Sequence, residues 1–127
     1  MRKTGEVGGL QAGTDSCPPD VEEIGRCGWT VIHSMAAAYP SSPSELDQAN
    51  IRSFLRLFSK LYPCRTCASG LEKYMEQIPI QAGSRSELAL WLCGAHNDVN
   101  VKLGKPIFNC SLWDERWRTG WKDGRCD

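Results

Sequence analysis

Cys64 and Cys67 stand three residues apart directly after Pro63, where the pattern predicts the start of a helix. Thiols at that spacing in a first helical turn are close enough to bridge. Backbone N–H groups at a helix start also stabilise a thiolate, the attacking species in disulfide exchange. The pair therefore reads as an easily cycled disulfide, with a static disulfide or half of a zinc site as the alternatives. A thioredoxin-like setting needs strand-helix-strand order around the pair, and the chain shows none.

A second group lies on one helical segment: Cys93, His96, Asn97 and Asn100, at offsets 0, 3, 4 and 7. That spacing puts them on one face, roughly opposite Leu88, Leu92, Ala95 and Val99. Arg26, Trp29 and His33, at offsets 0, 3 and 7, form a similar row on an earlier segment. Two such rows in a small chain can border one planar ligand, stacked on Trp29 and hydrogen-bonded by His96, Asn97 and Asn100, with Lys102 and Lys105 neutralising phosphates. The plainer alternatives are a solvated stripe, a satisfied core histidine and lysines drawn to a helix C-terminus.

The other cysteines limit the choices. Cys93 and Cys110 are seventeen apart across Gly104-Lys105-Pro106, so the chain can fold back and be pinned there, a bridge worth about 3 kcal/mol by loop entropy. Cys17 and Cys126 suit a clamp on the termini, within one subunit or between two. Cys27 is left over; near an apolar stripe, it is expected to be buried and inert. A tetrahedral zinc site from Cys64, Cys67, Cys93 and His96 is the competing arrangement. It leaves Cys110 without a partner and the Trp29 row without a use.

These residues need helices to position them. Residues 1–16 hold four glycines and no periodicity, which reads as a mobile tail before a domain over 17–127. Ile24, Cys27, Gly28, Val31, Ile32 and Met35 then recur at helical spacing up to Tyr39-Pro40. A second helix opens at Ser44, with Asp47 as its capping partner, and runs through Ile51, Phe54, Leu55, Phe58 and Leu61 to Pro63. A third runs from Cys64 to Pro79. A fourth, opened by Ser84 and Glu87, carries the clearest apolar face and stops at Gly104-Lys105-Pro106. Leu112 to Arg118 makes a short fifth. With no period-two alternation, the fold class is all-α, a four-helix bundle plus a short fifth helix.

Composition narrows function further. Fifteen basic and fifteen acidic residues give zero formal charge, and 41% of residues are apolar. That balance describes a globular chain with no general attraction to nucleic acid. No apolar run approaches the roughly 20 residues that span a bilayer, and the start lacks the apolar core of a secretory signal.

Taken together the motifs resemble a known family. Tyr62-Pro63-Cys64-x-x-Cys67-Ala68, then Trp91-Leu92-Cys93-x-x-His96-Asn97-x-Val99-Asn100-x-Lys102-Leu103-Gly104-Lys105-Pro106, then Cys110, are similar to the Erv/ALR family of FAD-linked sulfhydryl oxidases. The ends, Cys17-Pro-Pro-Asp through Trp29 and Asp114 through Cys126-Asp127, resemble those of its metazoan members. The resemblance implies a homodimer of helical bundles, each holding FAD in the bundle mouth beside the redox disulfide. It implies that Cys64 takes electrons from a dithiol protein substrate and Cys67 sits next to the flavin, with oxygen, giving hydrogen peroxide, or cytochrome c as the acceptor. Arg26, Trp29, His33, Tyr62, Cys93, His96, Asn97, Asn100, Lys102, Lys105, Arg116 and Trp117 fall on flavin-contacting positions. Cys93 with Cys110 matches the structural bridge, and Cys17 with Cys126 the intersubunit bridges.

Two departures stand out. Long members serving the mitochondrial intermembrane space carry an N-terminal arm with a further cysteine pair, and no cysteine precedes Cys17 here. The expectation is a short form, a truncated piece of a longer one, or a member with another substrate, for which the cytosol or secretion is also compatible. Cys27 falls where the family is expected to have another residue. The competing class of function is a disulfide-linked dimer with a growth-factor-like signalling role, in which the Cys64–Cys67 bridge is static.

Overall fold

The computed structural model describes residues 16–127, so all but the last residue of the expected 1–16 tail lies outside the described residues. Four helices follow in order: α1 (Val21–Ala38), α2 (Glu45–Leu61), α3 (Arg65–Gln77) and α4 (Arg85–Lys102). Each starts where a side chain can satisfy open backbone N–H groups. Asp20 accepts from the Glu23 N–H in α1, and Ser84 from the Glu87 N–H in α4. Ser44 and Asp47 bond each other's backbone N–H as a reciprocal capping box in α2. Pro18 and Pro19 lie before α1 rather than in its first turn. Gly104, at φ 71, turns the chain out of α4 in the left-handed region that costs glycine least.

The helices pack as α1 on α4, α2 on α3 and α3 on α4. Ile32, Ala36, Leu55, Leu71, Leu88 and Leu92 form the centre of the core. The α3–α4 connection is held by the Trp91 Nε1–H donating to Ile78 O at 2.9 Å and the Tyr39 hydroxyl donating to Ala82 O at 2.8 Å. Among the described residues no helix is long and apolar enough to cross a membrane.

Three expectations change. α4 is not a helix with one apolar and one open face: Leu88, Ala89, Trp91, Leu92, Cys93 and Ala95 are all buried, an arc of about 200° at 100° per residue. It is the middle helix, covered by α1, α3 and the C-terminal segment, so Cys93 lies inside the protein, 5% exposed, rather than on an open polar stripe. The short fifth helix is a 3-10 turn (Cys110–Leu112) leading into a π-helical turn (Glu115–Thr119) that ends at Gly120, φ 85. The wider turn carries Trp117 back onto α1. Cys27 is exposed rather than buried, because α1 turns Ile32, His33, Ala36 and Ala37 to the core and leaves Cys27 outside that face.

Candidate functional site

Pro63 ends α2, and the extended backbone of Cys64 makes this residue the N-cap of α3. Cys64 and Cys67 are joined by a disulfide across Cα atoms 5.3 Å apart. The Cys67 N–H donates to Cys64 Sγ at 3.3 Å, so the sulfur takes the place of a capping oxygen. Arg65 fixes this first turn: its Nη1 donates to Ser59 O at 3.3 Å and to Lys60 O at 2.7 Å, the open carbonyls at the end of α2. Glu72 lies 3.5 Å from Nη2. Cys67 is exposed and Cys64 half-buried, so a protein thiol can reach the bridge.

The second feature is a stack of four flat rings from three elements. His96 of α4 lies on Trp29 of α1, centroids 3.9 Å apart and planes 2° from parallel. His33 lies on Trp117 of the π turn at 4.5 Å and 10°. The imidazoles meet at His33 Nε2 and His96 Nδ1, 3.0 Å apart, one donating and the other accepting. Burial is the main force holding both neutral. It lowers His33 from 6.5 to about 3, with the charges of His96 and Arg116 adding to it, and His96 from 6.5 to about 4, with Lys105 and Arg116 adding. The Arg116 guanidinium caps the stack 3.8 Å over the Trp117 ring. Neutral rings beside fixed cations suit a planar heteroaromatic group that carries phosphates.

The polar row of α4 divides in two. Asn97 holds the returning chain: its Nδ2 donates to Phe108 O at 2.9 Å and its Oδ1 accepts from the Phe108 N–H at 2.9 Å. The Cys93–Cys110 disulfide, Cα atoms 5.8 Å apart, fastens the same segment. Asn100 donates to Asn97 Oδ1 at 3.1 Å. Asn97 thus spends most of its side-chain hydrogen bonding on the 104–110 segment, and Asn100 bonds to Asn97. Lys102 pairs with Asp98 at 2.9 Å and reaches α3, where a Cβ at Gly70 would stand 3.8 Å from its Nζ. Tyr62 packs on α1, where a Cβ at Gly28 would meet its Cε1 at 3.3 Å. It thus links the residue before Pro63 to the helix turn bearing Trp29. Arg26 and Lys105 are exposed.

The proposed zinc ligands are not gathered. Cys64 and Cys93 belong to two separate disulfides, and no cluster of three or more metal-ligating side chains occurs among the described residues. Sequence reasoning missed Arg65 and Thr66 as site residues; their only signal was their place between the two cysteines.

Residues 26–118 match the model of the Erv1/Alr family. The chain belongs to the Erv1/Alr family. A relative within reach of this Erv1/Alr chain is the mitochondrial FAD-linked sulfhydryl oxidase ERV1 of Saccharomyces cerevisiae, 45% identical over 94% of the chain. The chain spans 66% of the length of that relative and 55% of the Schizosaccharomyces pombe one. Among solved structures, the yeast Erv1 core superposes with a TM-score of 0.83 at 45% identity, over 91% of this chain and 98% of that one. The FAD-binding domain of Erv1 from Saccharomyces cerevisiae superposes with a TM-score of 0.80 at 47% identity, over 83% and 100%. The all-helical reading and the family resemblance both hold.

Proposed function

We propose that this Erv1/Alr chain is an FAD-linked sulfhydryl oxidase that forms disulfides in dithiol substrates. The carrying observation is the solvent-reachable Cys64–Cys67 disulfide at the capped start of α3, in a chain that superposes on the FAD-binding domain of a yeast relative. A substrate thiolate attacks Cys64 Sγ; the S–S bond breaks and its electron pair leaves on Cys67. A second substrate thiolate attacks the substrate sulfur of the mixed disulfide, which releases oxidised substrate and leaves Cys64 as thiolate.

The residues present fit FAD. Trp29, His33, His96 and Trp117 supply flat, neutral surfaces for its ring systems, and Arg116, Lys102, Lys105 and Arg26 supply cations for its pyrophosphate. Tyr62, Cys93, Asn97 and Asn100 complete the walls; Asn97 also holds the 104–110 segment, and Asn100 donates to Asn97. FAD, when bound, takes up the two electrons from the reduced pair and hands them to oxygen, with hydrogen peroxide formed, or to cytochrome c. The uncharged imidazoles keep positive charge on the arginine and lysines rather than in the stack.

The same reading makes the protein a homodimer. On α2, Leu57 and Leu61 are more than half exposed and share a face with half-buried Phe54 and Phe58, and Phe54 also lines a groove of about 400 Å³ with Met35 and Ile51; Val31 of α1 is exposed as well. An apolar face of this kind on a small chain supports association with a second copy. Cys17, before α1, and the exposed thiol Cys126 then bridge the two subunits. By the family's pattern we infer the mitochondrial intermembrane space as the working compartment; two yeast relatives are named mitochondrial. Subcellular fractionation that recovers the protein only outside mitochondria would overturn this.

The deciding experiment for the activity is an absorption spectrum of purified protein before and after a dithiol is added without oxygen. Flavin bands that bleach, and return with air as hydrogen peroxide accumulates, are expected. A colourless protein, or a coloured one that a dithiol leaves unchanged, would overturn the reading in favour of a static, signalling-type dimer.

A further inference from the structure

The two residues between the redox cysteines have separate jobs in the structure. The side chain of Arg65 folds back on the carbonyls of Ser59 and Lys60, which ties the first turn of α3 to the end of α2. Thr66 is free to face the bridge. Its Oγ1 lies 3.4 Å from Cys64 Sγ, and the Cys67 N–H lies 3.3 Å from the same sulfur. Both contacts converge on Cys64; no hydrogen bond of either kind reaches Cys67 Sγ among the described residues.

We propose that Thr66 is a catalytic residue of the thiol–disulfide step, its hydroxyl donating a hydrogen bond to Cys64 Sγ as that sulfur leaves with the electron pair. The inference rests on the oxidase reading and deepens it. In the disulfide the Cys64 sulfur is a weak acceptor. Once the second substrate thiolate attacks the mixed disulfide, the bond between Cys64 Sγ and the substrate sulfur breaks and its pair stays on Cys64. The substrate is thereby oxidised by two electrons, the protein pair reduced by two, and the substrate's two protons pass to solvent. A hydroxyl has a proton to give and a thiolate has none, so the direction of the Thr66 contact is fixed in that state. Hydrogen bonds to a charged partner are stronger than neutral ones, so the contact strengthens as charge develops, the condition for stabilising a leaving group. A lower-pKa leaving thiol also departs faster. The clamp by Arg65 keeps Thr66 beside Cys64 through the cycle.

The test uses the full chain with Thr66→Val, which keeps the branched shape without the hydroxyl, and Thr66→Ser, which restores it. In the dithiol-reduced protein, the pH midpoint of Cys64 alkylation by iodoacetamide is read by tryptic mass spectrometry. Cleavage after Arg65 puts Cys64 and Cys67 in different peptides. Thr66→Val should raise the Cys64 midpoint by about half to one unit, each unit being a tenfold change in ionisation. It should slow dithiol turnover roughly threefold to tenfold, while Thr66→Ser stays near wild type and the Cys67 midpoint moves less than that of Cys64. An unmoved Cys64 midpoint in folded Thr66→Val, shown by unchanged helical circular dichroism, overturns the proposal. The oxidase reading would survive that result, since wild-type turnover tests it separately. A midpoint shifted in Thr66→Val, together with no dithiol turnover in the wild type, would instead sink the oxidase reading and leave the Thr66 contact standing.

Discussion

The disulfide at the start of α3 and the imidazole pair each make a prediction at the scale of single residues. On the proposed mechanism, Cys64→Ser removes the sulfur that the substrate attacks, and Cys67→Ser the one that leaves. Each should lower dithiol oxidation by at least about a thousandfold, the order lost when an activated nucleophile is removed, while the yellow colour is retained. Normal turnover in both variants, followed by oxygen uptake, would mean that the bridge is static.

The His33–His96 contact predicts a pH dependence. Both imidazoles have folded values below 6.5, at about 3 and about 4, so below pH 6.5 the unfolded chain takes up protons that the folded chain refuses. Their contribution to stability is therefore complete above 6.5 and is lost as pH falls towards 4 and 3. Double protonation would also put two N–H donors face to face across 3.0 Å. The midpoint of thermal unfolding should drop between neutral pH and about pH 4.5 more steeply in wild type than in His33→Asn with His96→Asn. Equal slopes would show that carboxylates alone set the acid sensitivity.

At the scale of elements, the segment after α4 has no regular structure until Cys110 and is held to α4 by Asn97 and the Cys93–Cys110 bridge. Asn97→Ala leaves both the N–H and the carbonyl of Phe108 without that partner. A loss of about 2 kcal/mol in urea unfolding is expected for two part-buried hydrogen bonds, along with weaker flavin retention because Trp117 follows the same segment. The capping box of α2 gives the contrasting case. Ser44→Ala should cost about 1 kcal/mol with flavin content and turnover unchanged, since neither Ser44 nor Asp47 adjoins the site. A large activity loss in Ser44→Ala would show that α2 positions the redox pair more directly than its link through Arg65 implies.

At the scale of the whole molecule, association and covalent linkage separate. Cys17→Ala with Cys126→Ala should run as a monomer on a non-reducing denaturing gel, yet as a yellow, active dimer by light scattering under native conditions. Leu57→Glu with Leu61→Glu places charge on side chains 56% and 79% exposed, so the isolated fold tolerates it while an apolar interface does not. Native monomers are the expected result. If that variant remained dimeric, the α1–α2 face would not be the interface.

The sequence determined what is local or covalent. Capping pairs such as Ser44 with Asp47, proline and glycine stops, and the 3.6-residue recurrence of apolar side chains placed all four long helices. Spacing allowed Cys64 to meet Cys67 and Cys93 to meet Cys110, because short chain segments limit which thiols can meet, but a zinc site from Cys64, Cys67, Cys93 and His96 stayed open until the structure joined the two pairs. The residue types at Trp29, His33 and His96 were legible as site candidates, and Trp117 joined them only through the family resemblance. Only the tertiary structure decided what depends on neighbours distant in the chain. α4 reads as one-sided until its position between α1, α3 and the C-terminal segment is known, and burial of Cys93 follows from that position. That Asn97 also holds Phe108 is visible only once the returning chain lies beside it. Cys27 is exposed because α1 turns another face inwards. The imidazoles are neutral because two helices and a π turn bury them together. Hydrogen bonding and desolvation are set by which groups share a space, and periodicity along one helix does not contain that information.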